Sequence, residues 1–342
     1  MSDKFHLIVK LFFRMKVFFL AFVMFHGCTL SFARAFVPPY TKDHIFITLP
    51  LLFKDYNQLI KNYQGSKYLY PSSFTMDKEN IYLQYVFEPK QKDNVIVWYD
   101  SKGNYKGYFL IDNGGKGNAG EGLAIVRKNK CVSEVYAASN NGTLIGYRLK
   151  HDSPTVRLER FNEKQVGVYN QFSYRKGRWL IEHYNTDRSI YAQRTDLRIT
   201  DNDFNILHNI KTFLEYSGYI TSRSSSDAAM YNKRQGLALG DIYYAASYGG
   251  FYFSKLTPTK NTYQGIRVFN LYGDLIFEKI IEPSVLINTL SNIGYHVSRI
   301  ENEGVFISSD NRIIYSLYVY SDRSHKEIST KEGVLILMDR FE

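Results

Sequence analysis

The chain has 342 residues, with 43 Lys and Arg against 33 Asp and Glu and a formal net charge of +10. Residues 1–35 hold five cations and one anion, so the remainder carries a modest +6. It has no block of five or more basic residues, and a nucleic-acid partner is not expected. The mild positive field is compatible with solubility alone or with an anionic glycan or lipid headgroup. Tyr (29) and Phe (24) are abundant and Pro (8) is scarce, a composition that fits strands packed face to face.

Taken in chain order, Lys4, Lys10, Arg14 and Lys16 precede the apolar run Val17–Phe25, and Ala33-Arg34-Ala35 has the small-x-small form of a cleavage site. Residues 1–35 therefore read as a signal peptide cut after Ala35, with Met15 as an alternative start. The run is shorter than the ~20 apolar residues a membrane span needs. Phe25-His26-Gly27-Cys28 fits a lipoprotein box badly, so acylation of Cys28 is not expected. Residues 36–342 are expected to form one secreted or periplasmic domain, with no transmembrane segment after cleavage. Its sole cysteine, Cys131, leaves no intramolecular disulfide and reads as a small buried hydrophobe in a strand.

Two stretches have helical amphipathicity, Lys54–Tyr63 and Pro283–Ile293, the latter with Pro in a first turn. Strand alternation runs through Ile81–Phe87, Asn94–Tyr99, Gly265–Phe269 and Arg312–Tyr320. Turns fall at Asp100–Gly103, Asn113–Gly115, Asn140–Gly142, Tyr248–Gly250 and Ser308–Asn311. Thr221–Lys233 reads as an exposed Ser- and Arg-rich loop.

One pattern occurs twice. Phe74, Ile81-Tyr82, Val95–Asp100, Gly103 and Glu121-Gly122-Leu123 are echoed by Gln235-Gly236-Leu237, Ile242-Tyr243, Ile266–Asn270, Gly273 and Glu303-Gly304-Val305. A degraded copy lies between, with Asn170-Gln171-Phe172, Gly177–Ile181 and a turn at Asp201–Asp203. Repeats of short strands and turns mark a radial architecture. The fold class is all-β, a β-propeller of five blades with one or two short inserted helices. A Greek-key sandwich is the alternative.

The order Gln235-Gly236, Ile242-Tyr243, Phe269-Asn270 and Ser298–Gly304 resembles the β-propeller family of teichoic acid biosynthesis protein C. That family also takes in phage receptor-binding proteins and helveticin-J-like bacteriocins. The resemblance is clearest over Arg234–Leu337 and covers about half the chain. It implies a five-bladed propeller that engages envelope glycopolymers or acts on other bacteria.

Five residues are candidate ligand contacts. Glu121 and Glu303, in matching Glu-Gly steps, could converge on the channel with Asp112 or Glu301. They would be oxygen ligands for a divalent cation such as calcium, or a general base. The structural alternative has each Glu accepting backbone amides, with Gly allowing close approach. Gln171 and Gln235 open equivalent strands and could present amides to a sugar or close a turn. Tyr248, with Tyr244, Tyr252 and Tyr263, reads as an exposed ring suited to a sugar face. His183 has no second His at metal spacing, and no zinc pattern, Gly-x-Ser-x-Gly elbow or phosphate loop occurs. The expected function is non-enzymatic binding of an envelope glycan or anionic glycopolymer. A metal-assisted hydrolase or a helveticin-like antibacterial effector is the rival.

Overall fold

Short strands bounded by Asx turns arrange themselves as five antiparallel sheets about one hub. The computed structural model describes residues 40–342 except 90, 113–117, 140–141, 152–155, 185–194, 211–233, 250–251, 254–263, 282, 296, 322–332 and 342. The side chains of 118–121, 169–170, 184, 195–196, 252–253, 283, 299 and 321 also lie outside the described set. The expected signal peptide, the expected loop Thr221–Lys233 and Tyr263 all fall outside the described residues.

A first strand, β1 (Ile45–Pro50), follows a short 3-10 turn at Lys42–His44. The first blade is β2 (Tyr68–Met76), β3 (Asn80–Glu88), β4 (Asp93–Asp100) and β5 (Tyr105–Asp112). The second is β6 (Asn118–Arg127), β7 (Val132–Ser139), β8 (Thr143–Lys150) and β9 (Glu159–Gln165). The third is β10 (Val168–Arg175), β11 (Arg178–Tyr184), β12 (Thr195–Thr200) and β13 (Ile206–Ile210). The degraded copy is thus a complete blade.

The fourth blade is β14 (Arg234–Leu239), β15 (Tyr243–Tyr248), β17 (Gln264–Asn270) and β18 (Leu275–Ile281). A two-residue strand between β15 and β17, β16 (Tyr252–Phe253), leaves the blade and pairs with the next. The fifth sheet runs β1, β21 (Gly333–Arg340), β20 (Ile313–Ser321), β19 (Arg299–Ile307) and β16. Its outermost strand comes from the start of the domain, with Ile45 opposite Leu337 and Pro50 opposite Gly333. The ring is closed by this pairing, which covers an edge that would otherwise be open.

The inner strands β2, β6, β10, β14 and β19 touch in cyclic order and form the hub. Blades pack face to face through apolar layers, so strands such as β4 and β15 are covered on both sides. The helices Tyr56–Asn62 and Pro283–Asn292 lie within the expected stretches. The first buries Tyr56 and Leu59 in the layer around Phe74 and Leu83; the second buries Leu286 and Leu290 against Ile300 and Leu335.

One turn recurs between third and fourth strands. Asp100 Oδ1 accepts the N–H groups of Lys102 and Asn104, Asp201 those of Asp203 and Asn205, and Asn270 those of Tyr272 and Asp274. These Asx turns satisfy the backbone at each reversal. Gly103 and Gly273 take positive φ there (+83° and +97°), which a side chain would resist. The Asn104 side chain and backbone hold the Asp100 carboxyl well below the usual carboxylate range.

Candidate functional site

Every inner strand breaks register near its start. Ser72 is the extra residue in β2, Gln235 in β14 and Glu303 in β19; pairing is interrupted between Asn118 and Leu123 in β6 and between Val168 and Phe172 in β10. Regular pairing resumes at equivalent apolar positions: Phe74 opposite Leu83, Leu123 opposite Ala137, Phe172 opposite Ile181, Leu237 opposite Ala246 and Val305 opposite Ser316. A bulge re-aims the side chains around it. Five of them at one level concentrate polar groups at one end of the hub.

Two networks join blades there. Glu182, on β11, accepts hydrogen bonds from Arg234 Nε at 3.2 Å, Arg234 Nη2 at 2.5 Å and the Gln171 backbone N–H at 3.3 Å. Gln171 Nε2 donates back to the Arg234 carbonyl at 2.5 Å. In the second network, Glu301 accepts from Gln235 Nε2 at 3.0 Å and from the Tyr70 hydroxyl at 2.6 Å, so one carboxylate ties blades four, five and one. Glu301 is 5 % exposed, and Gln171 and Gln235 are 1 % exposed each.

Both glutamine amides are fixed in orientation. Their NH2 groups face a carbonyl and a carboxylate, which only accept, so neither amide can be flipped. Among the described residues, Gln171 Oε1 and Gln235 Oε1 are buried without a hydrogen-bond partner. A buried orphan acceptor costs ~1–3 kcal/mol, and each such group in a folded protein needs a reason.

Gln235 and Glu303 occupy the same bulge position, one residue before Gly236 and Gly304. Glu121 stands two residues before Leu123, as Gln235 does before Leu237, but its side chain lies outside the described residues. Gln171 opens an equivalent strand yet sits one position further along, directly before Phe172. The interruption in β10 spans more residues than the single-residue bulge of β14, so the two glutamines are neighbours across blades and not register mates.

Gly304, after Glu303, allows a close approach of inner strands, and Gly236 shares it. A Cβ on Gly236 would lie 2.7 Å from Gly304 Cα, and one on Gly304 would lie 3.0 Å from Phe74 Cδ1.

Several expectations are corrected. Tyr248 is 0 % exposed, with the Arg267 guanidinium 5.0 Å from its ring centroid, and Tyr244 is buried against Phe269. Both belong to β15, the second strand of its blade, whose two faces are covered by the neighbouring blades. The side chain of Tyr252 lies outside the described set. Asp112 ends the outer strand β5, where it pairs with Arg160 at 3.1 Å, away from the hub. Cys131 is exposed, because it precedes β7 in the turn from β6. His183 packs its ring beneath Gly167. Among the described residues no three His, Cys, Asp or Glu side chains form a set that could hold a metal ion. No described helix is long and apolar enough to cross a membrane.

The Glu182–Arg234 pair was not anticipated as a unit. Its sequence signal is weak: a charged residue on each side of the bulge level, 52 positions apart.

At the opposite end, Asp241 accepts from Arg175 Nε at 2.7 Å, Lys176 Nζ at 2.8 Å and Asn311 Nδ2 at 2.8 Å. Arg175, then Lys176, hold its carboxyl well below the usual carboxylate range. This end is a clamp across blades three, four and five.

The chain is a five-bladed β-propeller with an amide- and carboxylate-lined hub end. No protein-family model matches it, and no curated protein matches it significantly. Solved structures similar to it include a tail fiber of a Staphylococcus aureus phage, at 11 % identity and TM-score 0.47, covering 82 % of this chain and 51 % of that one. The chain thus spans about half the length of that tail fiber. The GH43_1 enzyme from Xanthomonas citri is 10 % identical, with TM-score 0.42 and coverage of 87 % and 91 %. An alpha-L-arabinofuranosidase from Lactobacillus brevis is 9 % identical, with TM-score 0.44 and coverage of 82 % and 93 %. The likeness is one of fold.

Proposed function

We propose that this propeller is an exported, non-enzymatic binding protein that recognises a cell-envelope glycan or glycopolymer at the bulged end of its hub. The observation that carries the reading is the pair of buried glutamine amides, Gln171 and Gln235. Their nitrogens are committed to the protein, and their oxygens have no donor among the described residues. Sugar hydroxyls are such donors.

Binding is favoured over reaction by how Glu182 and Glu301 are used. Each already accepts two or more hydrogen bonds, from Arg234 and Gln171 or from Gln235 and Tyr70. Carboxylates held this way orient neighbours. The leader read in residues 1–35 supports an envelope location, and the sequence resemblance to the teichoic acid biosynthesis protein C family supports an envelope ligand.

A binding screen over envelope fractions and purified glycans tests this, with the intact protein beside Gln171→Leu and Gln235→Leu. Each substitution removes the acceptor together with the NH2 that donates to the Arg234 carbonyl or to Glu301, so each is expected to weaken binding by at least roughly fivefold to tenfold. Failure of the intact protein to bind any envelope polymer overturns the reading.

A further inference from the structure

Exposed apolar side chains are gathered in one place. Among the described residues eight large hydrophobic side chains are exposed, and six of them belong to blades three and four. Ile242 (76 % exposed) and Tyr272 (79 %) sit on turns, while Ile206, Leu207, Leu275 and Ile276 open the outer strands β13 and β18. We propose that this patch is the interface through which two copies of the chain form a two-fold dimer. The inference is independent of the glycan reading.

Strand direction and register make the patch continuous. β12, β14 and β17 all run away from the bulged end, so the turns that follow them share the opposite end. Tyr243 pairs with Asn270, which sets Ile242 beside the turn that carries Tyr272. Leu275 pairs with Phe269 at the foot of that turn. The Tyr272 ring meets His208 of blade three edge-on at 5.6 Å, and this contact joins the turn to Ile206 and Leu207.

Its size suits a protein partner. With about 100 Å² of apolar surface for a whole Leu or Ile side chain and about 200 Å² for Tyr, the exposed fractions amount to roughly 400 Å². A standard interface buries about 800 Å² per partner, a little over half of it apolar, or roughly 450 Å². The patch supplies nearly all the apolar contact that a stable dimer needs.

Charge and strand chemistry select a second copy. Residues 36–342 carry +6, so a contact face with excess cations would repel its twin. On this face Lys176 is held by Asp241 at 2.8 Å, and the exposed Asp203 and Asp274 lie in the two flanking Asx turns. Those carboxylates disfavour an anionic lipid surface. The edge strand β13 reads Ile206-Leu-His-Asn-Ile210, without a charge, and no described strand pairs with its outer side. The corresponding edge of blade two, β9, carries Glu159, Arg160, Glu163 and Lys164. Charged edges discourage pairing between copies, and an uncharged one permits it. Contact here leaves both bulged ends open, so the dimer presents two hub sites to a repetitive ligand.

Sedimentation velocity of the purified full chain, from ~1 to ~100 μM, tests this, with a monomer–dimer equilibrium expected within that range. Ile242→Glu and Tyr272→Glu are each expected to weaken dimerisation by at least ~10-fold while keeping the parent's circular dichroism spectrum. Should a variant misfold, hydrogen exchange of the intact protein decides instead: segments 203–210 and 270–276 are expected to gain protection as concentration rises. A monomer at every concentration overturns the inference. If that monomer binds phosphatidylcholine vesicles and Tyr272→Glu does not, the patch faces lipid. A dimer that both substitutions leave undisturbed, or protection that rises only elsewhere, overturns it as well.

Discussion

Gly236 and Gly304 meet across blades four and five so closely that a Cβ on Gly236 would also stand 2.8 Å from the Val305 nitrogen. The steps Gln235-Gly236 and Glu303-Gly304 thus serve two ends. The glycine lets inner strands approach, and the polar residue before it is thrown out by the bulge. Gly236→Ala is expected to destabilise the fold by ~1–3 kcal/mol, since the added methyl meets backbone that cannot move aside. Urea titration of both proteins gives the difference directly, and an unchanged midpoint would show that the two strands can part without cost.

Arg234 and Glu182 are both buried, and each is the other's charge partner. Arg234→Met leaves the carboxylate in the interior without its guanidinium, at an expected cost of ~3–5 kcal/mol. The double variant with Glu182→Leu removes the stranded charge and is expected to recover part of that loss. Equal instability of single and double variants in chemical denaturation would contradict a buried pair.

Acid sensitivity should include a contribution from Asp241. Its folded pKa is depressed by Arg175 and Lys176, so its stabilisation is present above the unfolded value of ~3.9 and is lost as pH falls toward the folded value. Asp241→Asn is therefore expected to lower the melting temperature at pH 6. The gap to the parent should narrow steadily below about pH 4. A gap that stays constant down to pH 2.5 would remove the clamp from the list of acid-labile contacts.

Tyr248 supports the fold and does not offer a ring to solvent. Tyr248→Ala is expected to cost ~3–5 kcal/mol through the cavity it leaves beneath Arg267. Thermal denaturation should show this before any binding assay is interpreted. A variant of normal stability that selectively loses glycan binding would show the ring to be reachable after all.

Ring closure depends on the start of the domain. Tyr40 lies under the buried Lys279 ammonium, 3.7 Å from ring centroid to Nζ, and its hydroxyl donates to Asp339 at 3.2 Å. Lys279 and Asp339 pair directly and join blades four and five. Tyr40→Ala is expected to destabilise by ~3–5 kcal/mol and to raise hydrogen exchange first in β1 and β21. Unaltered exchange in those strands would indicate that closure does not depend on this residue.

Much of the fold was legible because its signals are local. Ile81-Tyr82 and Ile242-Tyr243 open second strands, Val95–Asp100 and Ile266–Asn270 are third strands, and the Asp100, Asp201 and Asn270 turns follow in step. The candidate site was legible only in part. Gln235 and Glu303 occupy the same bulge position on neighbouring inner strands, an equivalence the sequence reading did not draw, whereas Gln171, which it matched to Gln235, is displaced by the longer interruption in β10. The exposure expected for Tyr248 failed because alternation shows that a strand has two faces without showing what covers them.

Alternating side chains and turn residues act over a few positions, so the sequence alone determined sheets, reversals and their repetition about an axis. Which groups meet at the hub depends on contacts between blades. Glu182 finds Arg234 and Glu301 finds Gln235 and Tyr70 only when five bulged strands are brought to one level. Those distances are set by how the sheets pack and close, and no short stretch of chain encodes them.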